Sequence, residues 1–310
     1  MKQTSHPDMV ALTQVRRGLP NSDAIPGLAD ARLLPDQEFH SDWDTIVLDG
    51  DLKERVLRQA VVSVQVRHRV AFHAIPLHGV ILLSGPPGVG KTTLARGLAD
   101  RVARSVRLPG RTQWAFLEVD SHALASSSLG KSQKSVHHLF NDVIGEQAAT
   151  GPTIVLLDEV ETLFTDRSQL SMEANPIDVH RAVDAGLVAL DTLAKRHPDL
   201  LLIATTNFAD ILDPALESRA DLILPVPLPS TEARQTILEG ALHALVTAFD
   251  ASTDLLSPQT LRAAADASEG LDGRRLRKAV AEACALEESA AANPARLTPA
   301  ALIASLRGVR

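Results

Sequence analysis

Tyrosine is absent from this chain, and phenylalanine and tryptophan bring the aromatic content to only 3%. A surface that stacks successive bases on aromatic rings is therefore excluded as its main working part. Cysteine is almost as scarce. Cys284 stands alone, so no intrachain disulfide can form, and its Ala-rich setting "AVAEACALEE" reads as a small buried apolar position rather than a nucleophile. No apolar run approaches the roughly 20 residues that cross a bilayer, and the opening "MKQTSHPDMVALTQVRRGLP" lacks the compact apolar segment of a secretory signal. The expectation is a cytoplasmic protein with no membrane partner. An excess of positive charge is missing too: 31 Lys and Arg against 38 Asp and Glu leave a formal charge of -7, which argues against a long phosphate-gripping surface and so against nucleic acid as the main partner. Arg96, Arg101, Arg104, Arg107 and Arg111 read as a solvated or subunit-facing stripe. His68, His73 and His78 are spaced five apart, off the i, i+4 spacing of helical metal ligands.

What is present is a large core. The chain has 310 residues, 45% of them hydrophobic and 22% charged, enough for one large domain or two modest ones. Residues 1–40 hold several prolines and little periodicity and read as an arm. From "DLKERVLRQAVVSVQVRHRV" onward a helical pattern leads into "GVILLS", a continuous apolar run typical of a strand buried on both faces. Four more runs follow, "AFLEVD" (115–120), "TIVLLDE" (153–159), "LLIATTN" (201–207) and "DLILPV" (221–226), most of them separated by helical stretches. That alternation predicts a parallel sheet with helices on both faces. After "VPLPS" the chain is Ala- and Leu-rich helix punctuated by Pro258, Gly270, Gly273 and Pro294, with no strand-like run. The expected division is an arm over 1–40, an α/β domain over 41–228 and a small helical subdomain over 229–310.

Residues 85–93, "GPPGVGKTT", match the phosphate-loop pattern G-x-x-x-x-G-K-[ST] between a strand and a helix. Over Gly85, Pro86, Pro87, Gly88, Val89, Gly90, Lys91, Thr92 and Thr93 the backbone can curl so that its N–H groups and the helix N-terminus face phosphate. Lys91 can then reach the outer phosphates and Thr92 can ligate magnesium. "TIVLLDEVE" sets Asp158 at the C-terminal mouth of a buried strand, where ligands of open α/β sheets bind. Asp158 reads as holding the magnesium, directly or through a water, and Glu159 as the general base for an attacking water. "LLIATTN" brings Asn207 to the end of another strand, where its amide can position that water; alone it would read as a turn residue. The cofactors implied are ATP and Mg2+.

With these motifs the chain, from about residue 40 to its end, resembles the AAA+ ATPases: a P-loop parallel sheet flanked by helices, with a C-terminal helical lid. The resemblance makes Asn207 the sensor residue after the fourth strand of that fold. It implies that Arg219 in "LDPALESRAD" acts as an arginine finger in the neighbouring subunit's site, and that Arg274 in "GLDGRRLRKAV" is the second sensor. From the residues alone, Arg219 is equally a salt-bridge partner of Glu217 or Asp221, and Arg275 or Arg277 can stand in for Arg274. "LLDEVETL", "DAGLVALD", "ATTNFADILDPALESRADLILPVPLPS" and "GLDGRRLRKAV" are similar to the pachytene checkpoint remodellers, the family of thyroid receptor-interacting protein thirteen. That similarity implies a ring hexamer that opens HORMA-domain proteins. Among bacterial members it implies an antiviral system containing a HORMA protein and a cyclic-oligonucleotide synthase, the CBASS setting. It also assigns Ser128, Leu129, Gly130 and Lys131 to the substrate loop lining the pore. Where eukaryotic relatives carry two aromatics this chain has Ser128 and Leu129, which predicts a gentler grip.

The reading from sequence is an ATP hydrolase that remodels a HORMA-domain partner, alone or held by its synthase, and so switches the synthase off. The rival is a nucleic-acid-linked AAA+ ATPase of clamp-loader or motor type, disfavoured by the acidic balance. A third, a nucleotide-gated scaffold that barely turns over, fits poorly with intact Lys91, Asp158, Glu159, Asn207 and Arg219.

Overall fold

The computed structural model describes residues 18–108, 113–125, 132–166 and 176–309. Six strands form one sheet: β1 (Leu28–Leu34), β2 (Val80–Ser84), β3 (Trp114–Asp120), β4 (Thr153–Asp158), β5 (Leu200–Thr206) and β6 (Leu222–Pro225), in the order β1-β3-β4-β5-β2-β6. β2 to β6 run parallel. β1 joins antiparallel to β3, with Leu28 opposite Val119 and Leu34 opposite Trp114. The stretch expected to lie in an arm thus supplies an edge strand.

The period-2 rule of strands divides the sheet's side chains between two cores. Ile81, Leu83, Ile154, Leu156, Leu201 and Ile203 point to one face. There α1 (Gln37–Thr45), α2 (Leu52–Arg69) and α3 (Lys91–Ser105) cover them with Phe39, Trp43, Val56, Val64, Leu94 and Leu98. Leu82, Val155, Leu157 and Leu202 point to the other face. The helical run covering it is α5 (Ser132–His137), a π-helical turn over His138–Ile144 and α6 (Gly145–Thr150), together with α7 (Pro176–Arg196). Each such side chain is worth about 1.5–3 kcal/mol on full burial, and burial on both faces is why these strands read as unbroken apolar runs. A short α4 (Ser121–Ala125) follows β3 directly, and α8 (Pro214–Glu217) precedes β6.

The remaining helices, α9 (Thr231–Phe249), α10 (Pro258–Ala267), α11 (Gly273–Ala285), α12 (Glu288–Ala292) and α13 (Pro299–Gly308), enclose a third core around Leu238, Leu242, Leu261, Leu276, Ala283 and Leu302. Their starts are capped by side chains: Ser230, Ser257, Asp272 and Thr298 each accept a backbone N–H of the first turn of α9, α10, α11 and α13. Each cap satisfies a donor the helix cannot, worth about 1 kcal/mol. Pro258 and Pro299 follow their caps and begin helices rather than break them. Asp49 binds both the N–H (3.0 Å) and the hydroxyl (2.5 Å) of Ser230. This ties the loop after α1 to the start of α9.

Candidate functional site

β2 ends at Ser84 and the chain turns through 85–90 into α3. Gly85, Gly88 and Gly90 all have positive φ (154°, 83° and 97°). At Gly88 the requirement is doubled, because a Cβ there would land on the Asp272 carboxylate that caps α11. Arg274 N–H points into the same contact, donating to Gly88 O (3.3 Å) as well as to Asp272 Oδ1 (2.9 Å). The lid helix therefore rests directly on the phosphate loop. Between them lies a cavity of about 420 Å³ lined by Ile46, Val47, Leu48, Gly90, Arg274 and Arg277 among others.

The Lys91 ammonium is buried and donates to Gly85 O (2.8 Å), Pro86 O (2.9 Å) and Asn207 Oδ1 (2.7 Å). Burial pushes its pKa down, while the charges of Glu161, Asp158 and Glu159 oppose the fall. Asp158 closes β4, and its Oδ1 accepts from Thr92 Oγ1 (2.8 Å) and from the Thr205 hydroxyl. The backbone then enters the left-handed region at Glu159 (φ 52°, ψ 52°). Glu159 N–H donates to Thr205 Oγ1 (3.1 Å), and its side chain is held between Asn207 Nδ2 (3.2 Å to Oε1) and His122 Nε2 (2.5 Å to Oε2). The Glu159 bond is the main cause that raises the His122 pKa. Strands β2, β4 and β5 are neighbours in the sheet, so their C-terminal mouths bring Lys91, Thr92, Asp158, Glu159 and Asn207 into one network. This is the chemistry of a phosphate-handling site: a buried cation, a hydroxyl–carboxylate pair and a carboxylate aligned by an amide.

Four members of the network were not singled out in the sequence: Ser121, whose hydroxyl donates to Asp158 O (2.6 Å), His122, Glu161 and Thr205. The signals available for Glu161 and Thr205 were the last acid of "DEVE" and the hydroxyls of "ATTN" inside an apolar strand. Arg219 lies apart from this network. Its guanidinium makes a two-pronged pair with Asp191 on α7 (Nε 2.7 Å, Nη2 2.8 Å) and donates to Ala215 O (2.7 Å). The partners expected from proximity, Glu217 and Asp221, are corrected to Asp191; Asp221 accepts instead from Ser63 Oγ and from the N–H groups of His78 and Gly79. The Arg219 bond is the first cause holding the Asp191 carboxyl below its usual range. Of the three lid arginines, Arg274 lines the cavity, Arg277 also lines it but donates to Thr45 O (3.2 Å), and Arg275 is exposed beside Asp272 (3.6 Å). Ser128, Leu129, Gly130 and Lys131 lie outside the described residues.

A P-loop nucleotide-binding sheet with a helical lid is what this geometry defines. Residues 81–228 match the profile of the ATPase family associated with various cellular activities (AAA). The chain is 48% identical over 290 residues to CD-NTase-associated protein 6 of Pseudomonas aeruginosa, covering 93% of this chain and 94% of that protein. It is 36% identical over 216 residues to the putative pachytene checkpoint protein 2 of Caenorhabditis elegans, covering 68% of this chain but 50% of that longer relative. Its fold superposes with a TM-score of 0.73 on a solved chain from the E. coli MS115-1 HORMA:CdnC:Trip13 complex, at 19% identity and covering 93% of this chain and 97% of that one. The chain belongs to the AAA ATPases, in the family that holds CD-NTase-associated protein 6 and the pachytene checkpoint proteins.

Proposed function

We propose that the chain hydrolyses ATP in a ring of identical subunits and uses that energy to remodel a HORMA-domain protein, releasing a cyclic-oligonucleotide synthase from activation in the bacterial cytoplasm. The observation that carries the hydrolytic part is the Lys91–Asn207–Glu159 chain of hydrogen bonds at the mouths of β4 and β5. The partner comes from the relatives: one is named for its association with a CD-NTase, and a chain of the same fold was solved with HORMA and CdnC.

In this reading the nucleoside sits in the cavity between Ile46, Val47 and Arg274, and the phosphates lie along 85–92. Lys91 exchanges its bonds to Gly85 O and Pro86 O for the outer phosphates. The Thr92 hydroxyl and Asp158 are hard oxygen donors already side by side, a set that suits a magnesium ion, which would neutralise phosphate charge when bound. Glu159 takes the proton of the attacking water while Asn207 holds both carboxylate and water in line. Arg219 of one subunit reaches the site of the next, and Arg274 acts from the lid above its own loop. Ser128, Leu129, Gly130 and Lys131, beyond the end of α4, contact the extended substrate peptide, with Leu129 as the apolar grip.

The test is to mix the chain with a closed HORMA–synthase complex and ATP, then follow HORMA conversion by ion-exchange chromatography and synthase output by product formation. Loss of the closed form and of synthase product with the parent chain, but not with Glu159→Gln, supports the reading. ATP consumption that leaves the HORMA protein unchanged overturns the remodelling part.

A further inference from the structure

Glu161 has no part in the hydrolytic scheme above, yet it is placed at the centre of it. It lies on the 3-10 turn Val160–Thr162 that follows Glu159. The left-handed step at Glu159 reverses the chain and brings Glu161 back against the end of β5. There Glu161 Oε1 accepts the backbone N–H of Asn207 (3.1 Å). Its other oxygen, Oε2, is buried and accepts no hydrogen bond from any described residue. The residue is 8% exposed. Of the charges that hold the buried Lys91 ammonium up, that of Glu161 is the strongest, ahead of Asp158 and Glu159.

A half-satisfied buried carboxylate is expensive to keep. A turn that merely had to close could be built from a neutral residue, since its own backbone bonds, Thr162 N–H to Glu159 O and Phe164 N–H to Val160 O, are already in place. What the carboxylate adds is a charge-assisted bond, stronger than a neutral one, on the one backbone N–H that sets the direction of the Asn207 side chain. That side chain bridges Lys91 Nζ and Glu159 Oε1. Asn207 follows the last residue of β5, and from there the chain leaves the sheet, so the strand ladder no longer holds its backbone.

We infer that Glu161 is a positioning residue for hydrolysis: by holding the Asn207 backbone it aims the Asn207 amide at Glu159. The inference rests on the reading of Asn207 as the residue that orients Glu159 and water. A misplacement of about 1 Å in such a group can cost 100-fold in rate, and losing one anchoring bond is a milder fault. Glu161→Ala therefore lowers the kcat for ATP tenfold or more, with KM and affinity for a fluorescent ADP changed less than threefold. Glu161→Gln keeps an oxygen acceptor at the same reach and recovers kcat to within about fivefold of the parent. Should the alanine variant not fold, Glu161→Asp, one methylene too short to reach Asn207 N–H, takes its place with the same expected loss.

A double-mutant cycle with Asn207→Ala separates the two readings. The inference predicts that Asn207→Ala lowers kcat and that adding Glu161→Ala lowers it no further. If Asn207→Ala lowers kcat and Glu161→Ala does not, the inference is wrong and the role of Asn207 stands. A double variant showing the full product of both losses places Glu161 on another path and also overturns it. If Asn207→Ala leaves kcat at the parent value, the earlier reading fails and takes this one with it.

Discussion

Glu159 holds a left-handed backbone that costs a side-chain-bearing residue about 1–2 kcal/mol, and it is one of two non-glycine residues with positive φ among those described. The structure keeps that conformation with three bonds: its N–H to Thr205 and its carboxylate to Asn207 and His122. Glu159→Gln preserves size but cannot take up a proton, so phosphate release should fall by about 100-fold or more while ADP titration stays within a few-fold of the parent. The His122 contact adds a pH dependence. Its bond to Glu159 raises the His122 pKa, and Asp120 and Glu161 also face it and act the same way. The paired, protonated form is therefore full below the ordinary histidine value of about 6.5 and is lost as pH rises through the raised folded value. Glu159 is thus bound to His122 on the acid side and released on the alkaline side. ATPase rate should climb as pH rises through the raised His122 value, above the ordinary value of about 6.5, and His122→Ala should flatten that limb by raising the acid-side rate; an unchanged profile would remove His122 from the control of Glu159.

At the scale of elements, α1 lies against α3 at Gly97, where an added Cβ would come within 2.8 Å of the backbone N and Cα of Trp43. Backbone cannot swing aside as a flexible side chain can, so Gly97→Ala should cost about 1–3 kcal/mol as an overpacked core site, read as a lower urea midpoint. Such contacts explain what the sequence could disclose. The central parallel strands β2, β4 and β5 were legible because burial on both faces writes them as unbroken apolar runs, and the phosphate loop because its glycines and Lys91 fall within a few residues. β1 was not legible: "LADARLL" carries Asp30 and Arg32 on an edge, follows prolines, and is defined by pairing with β3, from Leu28 opposite Val119 to Leu34 opposite Trp114, far along the chain. Asp191 escaped for a similar reason, since Arg219 has Glu217 and Asp221 beside it in sequence while Asp191 lies 28 positions back on α7, with β5 between. Glu161 and Thr205 left a trace in "DEVE" and "ATTN", but their place in the site follows from the left-handed turn at Glu159, a conformation that no residue pattern announces.

Over the whole molecule, the proposed seam makes the rate of one protomer depend on the next. Arg219→Ala should abolish hydrolysis without weakening ADP binding, and titrating it into the parent chain should depress turnover more steeply than dilution alone; a linear fall would show that each subunit works by itself. If Arg219 acts across the seam as proposed, a neighbour's phosphate would have to compete with the Asp191 carboxylate already paired to it. No helix among the described residues is long and apolar enough to cross a membrane. The edge strand has a mechanical consequence. In the proposed function, a pull on the substrate loop would reach the sheet on its N-terminal side through α4 and β3. Without β1 that strand would be the sheet's border, anchored by one ladder to β4; with β1 it is gripped on both flanks. Since the rungs of an antiparallel ladder lie across the strand, a tug along its axis loads many of them together in shear instead of unzipping them singly.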